Sequence, residues 1–484
     1  MSEQQTSPAP ADSSHLKKAL GPVTLWGLGV GYVIAGEYMG WNLGMPVGGT
    51  YGFLLAAFFI TLMYVTFVFS YTEMACAIPR AGGVFVYGVR GLGLLGGYVG
   101  GVAQVIEFVF APPAIAMTIG AYAQNWFPDV DAKMVAIPAY FVFTTLNIIG
   151  VKQTAVFELL VAGIAVLGII MFAVVAAPHF QWENITRNGW AGGTWASAWS
   201  GSVAAIPFAI WLYLAIEGVA NAAEEAKNPQ RDVPLGFGSA ILTLVILAAL
   251  VVFFSVGIGG WEKVVYHPGS ISETNDGTLT IAPDAVLMDS PLALGFKQIL
   301  PTGHLLHHIL AIIGVVAGIA GLNGIIMAAS RSLFEMGRVG FLPHFIGKTF
   351  PRTQTPANAL LLNLVVGVTS ILLFDTGRLV TMSALGAVML YIVSMLALVK
   401  LRQKEPNLHR PYKTPFYPIF PLIAGSIATF SFATMMYFNF DPNDMRNSPG
   451  VWFVGFVIVA VLYYGLVVRH LLSSVDIQHF HRID

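Results

Sequence analysis

The sequence predicts an all-α integral membrane protein of twelve spans, with the first and sixth interrupted in mid-membrane. Three observations lead there. Of 484 residues, 56% are hydrophobic and 10% charged, with mean hydropathy +0.72, whereas an ordinary soluble domain carries about 25% charge. Apolar stretches long enough to cross a bilayer, roughly 20 residues each, recur along the whole chain. Two of them hold a glutamate beside glycine: Gly36, Glu37 and Gly40 in the first, Glu217 and Gly218 in the sixth. A carboxylate in hydrocarbon is costly and persists where it faces a protein cavity.

Residues 1–20 are polar and rich in Ser and Pro ahead of Lys17 and Lys18, the composition of a disordered tail. No cleavable signal peptide is expected, because the first apolar stretch runs far beyond the length of one. The spans are expected near 22–45, 51–77, 92–126, 134–150, 155–177, 199–222, 235–258, 304–330, 357–374, 379–399, 416–438 and 451–472, with a short tail at 473–484. An even number of spans puts both termini on one side. With the N-terminus inside, eighteen of the 24 Lys and Arg residues fall on the inner face and six on the outer, which is the asymmetry of the positive-inside rule. The long outer connection at 259–302 carries Glu262, Glu273, Asp276, Asp284 and Asp289 and reads as a cap or lid. A net charge of -1 favours neither nucleic acid nor an anionic partner, and a single Cys76 excludes an intrachain disulfide.

The two interruptions lie five spans apart. That placement is what an inverted repeat of two five-helix halves predicts, one over 21–177 and one over 199–402, with two accessory helices at 415–472. In such proteins discontinuous helices line a transport site near the midplane, so Glu37 is free to meet a cationic substrate. Glu107, near the middle of the third span, is a third candidate carboxylate. The bland alternative is that these carboxylates bond helix-end amides or neighbouring hydroxyls. Glu73 and Glu158 fall near span ends, where contact with solvent or bracing of a loop is expected.

Three separated motifs carry a resemblance. The stretch AEEAKNPQRDVP at 223–234 resembles the end of the sixth helix in amino acid, polyamine and organocation transporters. IPRAGGVFVYG at 78–88 is similar to that family's loop after helix two, and SRSLFEMGRVGFLP at 330–343 to its loop after helix eight. The resemblance implies a LeuT-type fold of two inverted five-helix repeats plus two extra helices. Within the family, GEYMGWN at 36–42 and IEFVFAPPAIA at 106–116 look most like ethanolamine permeases. Amino acid carriers of the family have a small-residue turn in helix one whose backbone amides bind the substrate carboxylate. Here Ala35, Gly36 and Glu37 fill that turn. Glu37 would take the place of the substrate's own carboxylate, repelling amino acids and pairing with an amine that lacks one. Glu217 aligns with the acidic or amide residue after the family's sixth-helix break, a glutamate implicated in coupling in proton-linked antiporters. Trp211 matches a tryptophan that contacts substrate.

Aromatic residues cluster near both glutamates: Phe208, Trp211 and Tyr213 in the sixth span, Tyr38 and Trp41 in the first. Aromatic faces attract ammonium by roughly 0.5–2 kcal/mol, although helix packing or interfacial anchoring explains Tyr213 equally well and is the better explanation for Trp41. Gly27, Gly29 and Gly31 imitate a dinucleotide loop, but no strand precedes them, and close helix packing is the better explanation. His304, His307 and His308 lack a partner cluster for metal, and Asn184 begins a glycosylation acceptor. No nucleophile, base and orienting residue assemble, so no enzyme and no cofactor are expected.

The expected function is therefore a multi-pass carrier in a bacterial cytoplasmic membrane that imports ethanolamine or a close small amine. Glu37, Gly36, Glu217, Trp211, Glu107, Tyr213 and Phe208 form its expected binding site, and Glu217 and Glu107 its coupling groups. The alternative is a carrier for a cationic or neutral amino acid. Helix eight has no Ser or Thr between Ala311 and Met327, and Ala165 stands where some sodium-independent relatives place a lysine. Proton coupling or exchange is expected accordingly; the sequence carries no signal for oligomeric state.

Overall fold

The computed structural model describes residues 19–80, 82–150, 155–187, 189–190, 195–273 and 279–471. The expected tails at 1–18 and 473–484 lie outside the described residues. The first span starts at Pro22, whose fixed φ suits a first helical turn, and runs as α1 (Pro22–Val33) and the single turn α2 (Ala35–Tyr38). The chain leaves the helix at Met39, which is extended, and at Gly40, whose φ is 88°. Gly40 therefore supplies the turn that the sequence ascribed to Gly36 and Glu37; those two stay helical. A short 3-10 turn, Trp41–Gly44, leads into α3 (Met45–Ala77), kinked at Gly49.

Packing accounts for the small residues of α1. Gly27 lies against Leu159, Gly29 against Ala240 and Val219, and Gly31 against the Glu158 carboxylate, so three neighbouring helices approach its backbone. The expected loop at 78–88 is partly helical: α4 (Val84–Leu92) is bounded by Gly83 (φ 54°) and Gly93 (φ 90°) and precedes the third span, α5 (Leu94–Ala123). The fourth and fifth spans are α6 (Ala132–Ile149), closed by left-handed Gly150, and α7 (Ala155–Ala176).

After a surface turn, α8 (Trp182–Thr186), the sixth span is assembled from three pieces, α9 (Trp195–Ala204), α10 (Ile206–Trp211) and α11 (Gly218–Asn221). Between the last two the chain is non-helical, and Ala215 takes a φ of 75°. The seventh span, α12 (Pro229–Gly257), begins six residues earlier than expected because Pro229 occupies a first-turn position and the Asp232 carboxylate accepts from the Asn228 amide. The connection at 259–302 holds the hairpin β1 (Ile271–Glu273) and β2 (Leu279–Ile281) and the helix α13 (Pro291–Ile299). Then follow α14 (Leu305–Arg338), longer by two turns than the expected span, α15 (Ala357–Leu373), α16 (Thr376–Lys404), α17 (Ile419–Asn439) and α18 (Pro449–Tyr463).

Among the described residues, nine helices are long and apolar enough to span a bilayer alone, and Pro22–Val33 and Ala357–Leu373 are shorter apolar helices. The segmented sixth span completes twelve. Helices α5, α14 and α16 are largely buried, whereas α6, α17 and α18 are largely exposed to the surroundings. Helix α1 packs on α7, α12 and α14, and α10 packs on α3 and α16, so the two interrupted spans run through the centre.

Each face of the bundle is closed by specific bonds. On the face carrying the 259–302 loop, Asn42 Nδ2 donates to the Met288 carbonyl at 2.8 Å and Thr376 Oγ1 donates to Asp289. On the N-terminal face, the Ala19 and Leu20 amides donate to the Glu225 carbonyl and the Lys227 amide returns a bond to Leu20. Ala19 and Leu20 are thus part of the fold, not of the expected tail. Asn184 is not displayed as a glycan acceptor: its amide is buried and donates to the Gly257 carbonyl. His304 caps α14 and His308 accepts from the Trp126 indole.

Of the two span-end glutamates, Glu73 is the loop brace. It is 1% exposed and bonded by Arg402, Arg410, and the amide and hydroxyl of Thr414. Removing one partner of a buried ion pair costs about 3–5 kcal/mol. Glu73→Ala is therefore expected to lower the thermal unfolding midpoint in detergent markedly, through the stranded arginines. An unchanged midpoint would show that the 405–418 loop is held by something else.

Candidate functional site

The two breaks meet at Trp211. A Cβ on Gly36 would collide with the Trp211 carbonyl oxygen, and one on Gly40 would stand 2.5 Å from indole Cδ1 and Nε1. Glycine at 36 thus serves close approach, and glycine at 40 serves both approach and turn. Between the breaks lies a cavity lined by Tyr32, Val33, Gly36, Ile115, Trp211 and Ile325. Its volume is about 10 Å³, the lower limit for one water molecule. The indole Nε1 of Trp211 is buried and unpaired.

Glu37 is fully buried, and neither carboxyl oxygen has a hydrogen-bond partner. Its backbone carbonyl accepts from the Trp41 indole at 3.1 Å, and the Trp41 ring packs on Phe53, which makes Trp41 a packing residue. Tyr38 is likewise committed, donating to the Ala165 carbonyl at 2.6 Å while its own carbonyl accepts from Tyr122. Glu37 does not line the small cavity; its side chain lies within electrostatic reach of the Tyr38 and Tyr213 phenols.

Glu217 stands immediately before α11 and accepts from the Tyr391 hydroxyl at 3.1 Å through Oε2, while Oε1 is unpaired. Its near neighbour is Glu107, not Glu37. The Glu107 carboxyl approaches both the Glu217 carboxyl and the Ala215 amide, without completing a well-aligned hydrogen bond to either. Helix α16 fixes Glu107 from behind: Ser383 Oγ donates to its carbonyl at 2.8 Å, and Gly386 leaves room for its backbone. Two carboxyl groups in one dry pocket can share a proton but cannot both hold charge cheaply.

A line of phenols joins these groups. The Tyr391 and Tyr64 hydroxyls are 2.9 Å apart, Tyr64 also reaches the Ile210 carbonyl at 3.3 Å, and the Tyr64 and Tyr213 rings lie 5.2 Å apart. The Tyr213 hydroxyl is bonded to Thr61 at 2.8 Å. Sequence reasoning missed Thr61, Tyr64 and Tyr391, all on stretches of helix without a break at that point. The available signal was a hydroxyl in mid-span, which must find a partner away from water. Phe208 is not brought to the carboxylates; it lies toward the lid, near Gly44 and Gly377.

A model of the amino acid permease family matches residues 20–462. The chain is 29% identical to an uncharacterized transporter of Rhizobium meliloti over 86% of each protein. It is 25% identical to a methylthioribose transporter of Bacillus subtilis over 96% of each. It is 27% identical to a vacuolar cationic amino acid transporter of Arabidopsis thaliana, over 82% of this chain and 65% of that one. A solved structure of a mutant manganese transporter of Eremococcus coleocola superposes with a TM-score of 0.54 at 12% identity, covering 98% of this chain and 99% of that one; this similarity concerns the fold alone, which is LeuT-type. The chain belongs to the amino acid permease family.

The contact between Asp289 of the 259–302 connection and Thr376 carries a pH dependence. Burial, together with the Asp375 charge, pushes the Asp289 carboxyl up to about 6 against the Thr376 hydrogen bond. An exposed aspartate titrates near 3.9. The docked connection therefore binds the extra proton, and its docking should weaken as pH rises from about 4 to about 6, then level off. Hydrogen exchange in segment 285–299, corrected for its intrinsic pH dependence, should rise over that window, and Asp289→Asn should abolish the rise. Identical profiles for the two proteins would detach Asp289 from docking.

Proposed function

We propose that this permease imports ethanolamine or a closely related small amine by alternating access, coupled to protons or by exchange, with its N-terminal face cytoplasmic in a bacterial inner membrane. The observation that carries this reading is the wholly buried, unpaired Glu37 carboxylate at the first-helix break. An anion there is costly without a cation, and an ammonium supplies one. A substrate bearing its own carboxylate adds a like charge beside Glu37.

Gly36 and Trp211 close on each other in this state, and the cavity between them is too small for an organic amine. Binding would require the two breaks to part, which frees the Trp211 indole to cover the ammonium and opens the way to Glu37. Glu107 and Glu217 would hold the coupling proton, passed or steadied by Tyr391 and Tyr64. Phe208 would then act only as part of the wall toward the lid. The second reading, a cationic or neutral amino acid carrier, is favoured by relatives described as cationic and branched-chain amino acid transporters.

Titration of ethanolamine, serine, arginine and putrescine by calorimetry separates the two readings. Wild type should prefer ethanolamine over serine, and Glu37→Gln should weaken ethanolamine by about 1.5–3 kcal/mol, the range for a charged hydrogen bond. Preference for serine or arginine, or unchanged ethanolamine affinity in Glu37→Gln, would favour the amino acid reading. Glu217→Gln should bind but transport poorly, and transport should proceed without sodium. Near-normal uptake by that variant would make Glu217 a structural group.

A further inference from the structure

Glu158 is a buried carboxylate inside the spans that has no part in the site above and, unlike Glu73, no cationic partner among the described residues. The sequence suggested solvent contact or loop bracing for it, yet it is 2% exposed. It projects from the first turn of α7 into the junction of α1, α6 and α14. Oε1 accepts from Asn323 Nδ2 at 3.1 Å, and Asn323 Oδ1 accepts from Asn147 Nδ2 at 2.9 Å, so two amides from two other helices orient the carboxyl. Oε2 has no partner and faces Gly31 of α1, where a Cβ would stand 3.2 Å away. The next residue, Tyr32, has its phenol within electrostatic reach of Glu158 and of the Arg331–Glu225 pair, whose charged atoms are 3.8 Å apart.

The geometry points to Glu158 as a proton-binding site, distinct from the Glu107–Glu217 pair, that controls the docking of α1 against α7 and α14. This inference rests on the alternating-access reading but not on the identity of the substrate. With a proton, Oε2 is neutral and α1 can pack over it. Without one, Oε2 is an anion against the glycine face of a helix, and water can reach it only if α1 withdraws. Withdrawal breaks the backbone bonds joining Ala19 and Leu20 to Glu225 and Lys227 on the same face. The step is a proton transfer: water on the N-terminal face takes the proton from Oε2 as that face opens, and returns it before closure. A sodium ion fits the donor set poorly, because one free carboxylate oxygen is offered where such an ion needs several oxygens, and Asn323 Oδ1 already accepts from Asn147.

Spin labels at Val23 and Leu361, both exposed, on a Cys76→Ala background in nanodiscs would report the separation of α1 from α15 without added substrate. In wild type, the ratio of long-distance to short-distance populations should rise at least about fivefold from pH 5.5 to pH 8, as linkage allows for one titrating group. Glu158→Gln, neutral at every pH, should stay in the short-distance population throughout. Glu158→Asp keeps the charge and should retain a pH response, which guards against misfolding of the glutamine variant. A wild-type distribution independent of pH, an undiminished shift in Glu158→Gln, or a shift that follows sodium instead of protons would overturn the assignment. Ethanolamine titration of the same samples isolates the other reading: failure to bind ethanolamine with the pH shift intact would refute the substrate and leave Glu158 standing.

Discussion

A carboxylate inside a membrane protein must be neutralised, and the five buried glutamates of the spans meet that demand in different ways. Glu73 is fully paired with two arginines and a threonine and holds a loop in place. Glu107 and Glu217 face each other under a tyrosine hydroxyl. Glu158 is half satisfied by an asparagine, and Glu37 has nothing. In the proposed mechanism, the order from paired to unpaired is an order from scaffold to mobile chemistry: what the protein leaves unbonded, a proton or a cationic ligand would complete.

The chain geometry follows from where these groups sit. Gly36, Gly40 and the non-helical stretch from Leu212 to Glu217 let the two interrupted spans touch at Trp211. The surrounding long helices have no such interruption at the site and act as its wall. Because the breaks already make close contact, a ligand can enter only by separating them. The lid bonds at Asn42 and Asp289 and the backbone bonds at Leu20 are the two places where such separation is resisted. In the proposed alternating-access cycle, one face would release while the other holds.

Depth in the membrane was legible in the sequence; lateral placement was not. Apolar run length located most span boundaries to within a few residues; the larger differences are the starts of α3 at Met45 and α12 at Pro229, each six residues earlier than expected, and the continuation of α14 from Arg331 to Arg338. Glycine beside glutamate located both breaks, but not which glycine turns the chain, since Gly36 and Gly40 differ only in backbone conformation. Matching depth put Glu37, Glu107 and Glu217 together in one expected site. Rotation about the helix axes brings Glu217 to Glu107 and α16 and leaves Glu37 apart from both. Tyr64 and Tyr391 escaped notice for the same reason: their partners are contributed by helices far away in the chain, and 3.6-residue periodicity says which face of a helix is polar, not what it meets.

The central claim is that the Glu37 carboxylate selects an amine over an amino acid. Its most direct measurement is uptake of radiolabelled ethanolamine into proteoliposomes holding the purified full-length protein, with a pH gradient and without sodium, competed by excess serine or arginine. The account predicts saturable uptake that a tenfold molar excess of either amino acid leaves nearly intact. Robust uptake of labelled serine or arginine, with ethanolamine neither carried nor competing, would contradict it.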